Sequence, residues 1–187
     1  MGTILADSNE AMQCEYISFI FHTSLYIVKR ITKKEITLAS QLKIVGEENT
    51  SQVNYAIKAL KELICITEGK LYQVVIGFAQ NLVQCESALQ VNKNKRKCKL
   101  GDAFGDDFDY IYGIVKTTTD WYFILYASDG IYCTSKNPLN IRFTESALKE
   151  NSEEEKELCK NVKRVIEVIV GLLKDRVDVE KESAMKK

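Results

Sequence analysis

Residues 53–58, Val-Asn-Tyr-Ala-Ile-Lys, and residues 63–70, Leu-Ile-Cys-Ile-Thr-Glu-Gly-Lys, decide how the chain is expected to fold. Both stretches are short and rich in β-branched, aromatic and aliphatic residues, which predicts two consecutive strands. Because side chains alternate between the faces of a strand, Glu68 and Lys70 share a face, and Asn54 on the preceding strand can lie beside them. A carboxylate, a lysine and a polar side chain in this arrangement suit a divalent metal and a hydrolytic water.

The pattern on either side of these strands predicts one α/β domain. Helical spacing of apolar residues predicts helices over 9–31, 77–89 and 153–174. Alternating apolar runs predict strands at 36–45, 110–117, 121–127 and 131–135, with a last strand at 141–144. We expect a mixed central sheet flanked by helices over residues 1–176, with a polar turn at 46–51, a long charged loop at 92–109 and a charged, frayed tail that includes 177–187.

Composition limits the classes of function. The 187 residues carry a formal net charge of zero, so contact with nucleic acid would have to come from local patches rather than from a global basic field. Six cysteines without a Cys-x-x-Cys pair, mostly in apolar stretches, favour buried free thiols and a reduced intracellular compartment. Residues 1–10 are polar and no apolar run is long enough to cross a bilayer, so neither a signal peptide nor a membrane span is expected.

Several short motifs occur in a fixed order along the chain. After the two strands, Ala-Gln-Asn at 79–81 and Gln-Cys-Glu-Ser at 84–87 lie on the next predicted helix. They are followed by Tyr-Gly-Ile-Val at 112–115 and Asp-Trp-Tyr-Phe at 120–123. This ordered set, over roughly residues 11–176, resembles the PD-(D/E)XK nuclease superfamily. It is most similar to the nuclease-like domains of Crinkler-type effectors and related expanded fungal families.

The resemblance implies a restriction-endonuclease-like fold and hydrolysis of phosphodiester bonds in nucleic acid with Mg²⁺ or Mn²⁺. It implies that Glu68 holds the metal with Asn54, that Lys70 stabilises charge on the phosphate, and that Glu15 and Gln80 are accessory. The family carries an acid where this chain has Asn54. An amide brings no negative charge, so a weakened enzyme is expected. The alternative is a catalytically inactive, effector-like module that binds nucleic acid or a protein partner.

Each catalytic candidate also has a plainer interpretation. Glu68 and Lys70 would form an ordinary pair on a solvated strand face, and Asn54 would bond to nearby backbone, as Asn commonly does in turns. Glu15 would be a helix-surface charge. Gln80 would belong to a solvent-facing stripe that also contains Gln84 and Ser87, opposite an apolar stripe of Phe78, Leu82, Cys85 and Leu89.

Further candidates lie outside the Glu-x-Lys motif. The basic run could contact phosphate, together with Gln84, or act as a nuclear-localisation signal, or be a solvated loop; its members are Lys93, Lys95, Arg96 and Lys97. The aromatic run at 121–123 could stack on bases, although a place in the sheet core is the ordinary expectation. His22, the only histidine, is expected to be partly buried.

Overall fold

The described chain forms a single mixed sheet with helices on both faces. The computed structural model describes residues 10–46, 50–59, 62–69, 73–100, 110–134 and 136–185, with side chains described except at 10–13, 96–100 and 179–185. Its helices are α1 (Glu10–Thr32), α2 (Val74–Leu100) and α3 (Glu153–Met185). Its strands are β1 (Ile36–Val45), β2 (Thr50–Ala59), β3 (Glu62–Gly69), β4 (Tyr110–Lys116), β5 (Asp120–Ala127), β6 (Gly130–Cys133) and β7 (Leu139–Asn140).

The order of the strands explains the position of α2. Strands β1 to β6 follow one another across the sheet, and β7 also pairs with β5. Each neighbouring pair is antiparallel except β3 and β4, which are parallel. Parallel neighbours need a crossover connection, and α2 lies in it. The α/β prediction with a mixed sheet flanked by helices is therefore confirmed.

The two faces of the sheet are covered differently. Helices α1 and α3 bury one face with a large apolar core that contains Phe21, Tyr55, Ile57, Trp121 and Ile169. Helix α2 covers the other face with a smaller cluster around Ile66, Ala56, Cys85 and Ala88. Side chains of a strand that point to opposite faces therefore enter separate environments, and this separation decides which candidate residues can meet.

The sheet-facing side of α2 carries buried amide side chains as well as apolar ones. Asn81 Nδ2 donates to the Ile66 carbonyl at 3.1 Å. Asn92 makes two bonds to Leu63, in which its Oδ1 accepts from the backbone N–H at 3.0 Å and its Nδ2 donates to the carbonyl at 2.7 Å. Both amides are fully buried. Since buried backbone groups need partners, these bonds fix α2 to β3 in addition to the apolar contacts.

Asn81 approaches β4 so closely that only glycine fits opposite it. A Cβ built on Gly113 would lie 2.1 Å from Asn81 Oδ1 and 3.2 Å from Ile124 Cβ. Any larger residue at this position would displace the amide that holds Ile66. Gly113 is thus part of the contact between α2 and the sheet.

Two helices are longer than predicted. Helix α2 continues through Leu100, so the loop predicted for 92–109 is helical over 92–100, while 101–109 lie outside the described residues. Helix α3 continues through Met185 instead of ending in a frayed tail. Tertiary contacts explain part of the extension of α3: Val177 is fully buried, and Arg176 reaches Glu62 at 3.4 Å and lies 5.2 Å from the Tyr110 ring centroid.

Other local predictions need smaller corrections. Strand β2 already begins at Thr50, inside the predicted turn, and the predicted strand at 141–144 has no regular structure. Of the described cysteines only Cys65 and Cys85 are buried, so the prediction that most thiols are buried is wrong for this part of the chain. His22 is exposed, contrary to expectation, because it lies on the outer side of α1.

Candidate functional site

The carboxyl end of β3 brings two of the predicted residues together. Tyr55 pairs with Thr67 across β2 and β3, so Asn54 and Glu68 are the next residues along the two strands. Ala56 and Ile66, two residues away on each strand, both pack under α2. By strand alternation Asn54 and Glu68 also lie on the face that α2 covers, as the sequence predicted.

Glu68 is a buried carboxylate with a fixed orientation. Its side chain is only 5% exposed, and Oε2 accepts a hydrogen bond from Gln84 Nε2 at 3.0 Å. The Gln84 amide nitrogen also donates to the Gln52 carbonyl at 3.3 Å. A solvated strand face is therefore the wrong interpretation for Glu68. Burying a carboxylate is costly unless it is hydrogen-bonded or paired with a cation.

Gln84 has an unused acceptor beside this carboxylate. Both partners of its Nε2 are acceptors, which determines which end of the amide carries the nitrogen. Its Oε1 is buried and has no hydrogen-bond partner in the described part of the chain. The residue that orients Glu68 thus also carries a buried acceptor, which favours a donor or a cation as its partner. The interpretation of a solvent-facing stripe is wrong for Gln84 and Ser87, because both side chains are buried.

Asn54 is tied to the backbone of the same strand end. Its Oδ1 accepts from the Gly69 N–H at 3.1 Å. An aspartate there could accept the same bond and would add a second negative charge next to Glu68. Two adjacent carboxylates repel each other and are stabilised by a bound cation. With Asn54 this repulsion is absent, and the attraction of the site for a cation is weaker.

Two of the remaining catalytic candidates, Glu15 and Gln80, have exposed side chains. Glu15 is exposed on α1, which covers the opposite face of the sheet. Gln80 is exposed on α2, one turn before Gln84. Lys70 lies outside the described residues.

The basic run lies away from Glu68. Asn81 contacts Ile66 and Asn92 contacts Leu63, so α2 runs from the Glu68 end of β3 toward its beginning. Lys93 is half-buried and Lys95 is exposed on the last turns of this helix, whereas the side chains of Arg96 and Lys97 are not among those described. Contact of this run with phosphate stays a prediction.

The aromatic run divides between the two faces. Trp121 and Phe123 are buried in the core under α1 and α3, as expected for sheet core. Tyr122 is half-buried on the other face, where Phe78 of α2 packs edge-to-face against it with ring centroids 5.2 Å apart. Both rings therefore contribute to packing beside α2.

Lys116 is an unusual residue that the sequence analysis missed. It is 1% exposed, and its Nζ lies 5.6 Å from the centroid of the Tyr16 ring without a hydrogen-bond partner among the described residues. Burial lowers the pKa of Lys116 from 10.5 to about 8, partly offset by the nearby Cys14 thiol. The signal in the sequence is a lysine at the end of a strand that is otherwise apolar on both faces. Lys116 faces α1, so it does not meet Glu68.

A separate cleft lies elsewhere on the domain. It has a volume of about 370 Å³ and is bounded by residues 138–144 and the first turns of α3. Arg142 and Arg164 line it together with Glu154 and Glu157, so its charges do not favour a ligand of either sign. None of its lining residues belongs to the Glu68 site.

The donor set at Glu68 fits a divalent metal only weakly. Within the described ranges no three His, Cys, Asp or Glu side chains are grouped in a way that could hold a metal ion. Among the described side chains at this strand end, the oxygens are those of the Glu68 carboxylate and of the Asn54 and Gln84 amides. Mg²⁺ prefers charged hard oxygens and gives up its waters reluctantly, so one carboxylate is a poor anchor.

Comparison with known proteins adds no assignment. No protein-family model, curated protein or solved structure matches this chain. No helix in the described part of the chain is long and apolar enough to cross a membrane.

Proposed function

We propose that this domain is a metal-dependent nuclease of low activity, which hydrolyses phosphodiester bonds in nucleic acid and is weakened by Asn54. The observation that carries the proposal is the buried Glu68 carboxylate, which Gln84 orients at the end of β3 beside Asn54 on β2. A carboxylate that is shielded from water interacts strongly with a cation. The motif order in the sequence supports the same assignment.

Each residue of the Glu68 site would have a separate role in hydrolysis. Glu68 would hold Mg²⁺ or Mn²⁺, with Asn54 in a weaker role, and such an ion supplies an acidified water and neutralises charge on the phosphate. Gln84 keeps the carboxylate in one orientation through the 3.0 Å bond to Oε2. The low exposure of Glu68 limits competition from water, which strengthens its interaction with any cation. Lys70 would stabilise negative charge on the phosphate, and Gln80 would be accessory. The accessory role expected for Glu15 is dropped, because Glu15 lies on α1 across the sheet from Glu68.

Restoring the missing carboxylate tests the proposal. Mn²⁺ and Mg²⁺ are titrated by calorimetry into the wild type, Asn54→Asp and Asn54→Asp/Glu68→Ala, and plasmid nicking is measured on the same samples. We expect Asn54→Asp to bind metal at least tenfold more tightly and to nick DNA faster, and the double variant to lose both gains. Glu150→Asp, a conservative change at an exposed acid, is the control and should behave as the wild type.

Two outcomes of this experiment would contradict the proposal. If neither the wild type nor Asn54→Asp binds metal or cleaves DNA or RNA, the enzyme proposal is wrong. If Asn54→Asp gains metal binding that survives the loss of Glu68, the ion is held elsewhere and the assigned site is wrong.

One observation favours a second candidate function, a catalytically inactive nuclease-fold module. Asn54 Oδ1 already accepts the Gly69 N–H bond, so the amide completes the strand end without a metal. Such a module would bind nucleic acid or a protein partner in an effector-like role. It predicts binding that EDTA does not affect and that persists in Glu68→Ala; loss of binding on chelation would contradict it.

A further inference from the structure

The outer side of helix α1 exposes two large aromatic side chains. Phe19 is 67% exposed and Tyr26 is 62% exposed, although both belong to a helix whose other side is buried in the core. They are seven residues apart and therefore lie on one stripe of the helix. Two exposed aromatic rings on one stripe mark an interaction surface more often than isolated apolar residues do.

The ends of this stripe carry opposite charges. Glu15 lies one turn before Phe19, and Arg30 lies one turn after Tyr26; both are exposed. The Arg30 guanidinium lies 5.8 Å from the Tyr26 ring centroid, so it is held over the stripe rather than away from it. We define the α1 stripe as Glu15, Phe19, His22, Tyr26 and Arg30.

The α1 stripe is nearly symmetric about its centre. Glu15 and Arg30 are equally far in sequence from the point between His22 and Thr23, and so are Phe19 and Tyr26. At 1.5 Å per residue, each charge lies about 11 Å from that point along the axis. A second α1 related by a two-fold axis through this point would run antiparallel. It would place each Glu15 opposite an Arg30 and each Phe19 opposite a Tyr26.

We propose that the α1 stripe is a self-association surface whose partner is a second copy of this chain, packed with the two α1 helices antiparallel. The argument for this occupant is charge complementarity: Glu15 of one copy would lie opposite Arg30 of the other, at both ends of the stripe. A two-fold contact of this kind uses the same patch on both subunits. Five side chains per subunit form a small interface, so the dimer is of modest affinity and forms at micromolar concentrations.

Charge exchange tests both the surface and the direction of the helices. Sedimentation velocity from low to high micromolar concentration measures the dimer dissociation constant of the wild type, Glu15→Arg, Arg30→Glu and the double variant. Each single change places like charges opposite each other at both ends of the dimer. The dimer dissociation constant should therefore increase roughly tenfold. The double variant exchanges the two charges and should restore wild-type association, and Phe19→Ser should abolish it.

The single variants separate an antiparallel from a parallel dimer, because a parallel dimer already places Glu15 opposite Glu15 and Arg30 opposite Arg30, and neither single change would weaken it. Mixing the two single variants tests the charge pairing itself. In the antiparallel arrangement, a Glu15→Arg subunit and an Arg30→Glu subunit complement each other at both ends, so the mixture should associate better than either alone. Glu150→Arg, outside the stripe, should behave as the wild type. A wild type that is monomeric at every concentration overturns the proposal, as does self-association that neither charge change weakens or that mixing does not restore.

Discussion

Replacing Lys116 with methionine should stabilise the protein at neutral pH. The Lys116 side chain is buried between β4 and α1, and its Nζ has no hydrogen-bond partner in the described structure. Its closest described stabilising contact is the Tyr16 ring, 5.6 Å away. Methionine has a similar length and volume and fits the same apolar space without a charge.

The magnitude follows from the lowered pKa. Burial takes the pKa of Lys116 from 10.5 to about 8, and each unit corresponds to about 1.4 kcal/mol between the two protonation states. Keeping the ammonium buried at pH 7 therefore costs about 3 kcal/mol of folding free energy. The lost contact with Tyr16 and imperfect packing of the methionine reduce this gain in folding free energy by about 1 kcal/mol. Lys116→Met should therefore be more stable than the wild type by about 2 kcal/mol.

The pH dependence distinguishes this explanation from simple repacking. Because the folded-state pKa of Lys116 lies below its unfolded value, the unfolded chain binds more protons between pH 8 and 10.5. The stability of the wild type relative to Lys116→Met should therefore rise across this window, and the penalty is fully present only below about pH 8. At pH 10 the buried ammonium still costs the wild type about 1 kcal/mol. The packing that Lys116→Met loses is of the same size, so the two proteins should be equally stable there.

Urea unfolding of both proteins at pH 7 and pH 10 measures this difference. We expect Lys116→Met to be about 2 kcal/mol more stable at pH 7 and equal to the wild type at pH 10. A Cys14→Ser background removes the nearby thiol, which raises the pKa of Lys116 and so opposes the effect of burial. The same stability difference at both pH values, or a loss of stability at pH 7, would refute the reasoning.

Two further predictions concern the contact of α2 with the sheet, beside the metal titration described above. Gly113→Ala should cost about 2 kcal/mol or more, because a Cβ 2.1 Å from Asn81 Oδ1 must break the Asn81 bond to Ile66; an unchanged urea midpoint would contradict this. Asn92→Ala should cost about 2–4 kcal/mol, since it leaves the buried N–H and carbonyl of Leu63 without partners. The exposed Glu86→Ala on the same helix should change stability by less than about 0.5 kcal/mol.

The strand pair at the site could be predicted because its signals are local. Alternation in residues 53–58 and 63–69 predicts two strands, and the period of two places Asn54 and Glu68 on one face once the strands pair. The bounds of β1 were also predictable, because its apolar run at 36–45 ends at Gly46.

Helix α2 shows where local signals fail. Of the predicted apolar stripe, Cys85 and Leu89 are buried as expected, whereas Phe78 and Leu82 are only half-buried. Gln84, for which a solvent-facing position was one interpretation, is buried against Glu68. Hydrophobic periodicity assumes that a helix buries its apolar side. This helix also buries the amides of Asn81 and Asn92, which bond to the backbone of β3, and no periodicity measures how many partners a polar side chain will find.

The sequence by itself determined the class of the fold, the strands that carry Asn54 and Glu68, and the chemical types available at the site. These depend on alternation, propensity and composition, which act within a few residues. Only the tertiary structure decided that Gln84 orients Glu68, that Asn54 bonds to Gly69, that Lys116 is buried under α1 and that α3 continues past Lys174. Each of these depends on what a distant segment places opposite the residue, and burial and hydrogen bonding are properties of that pairing.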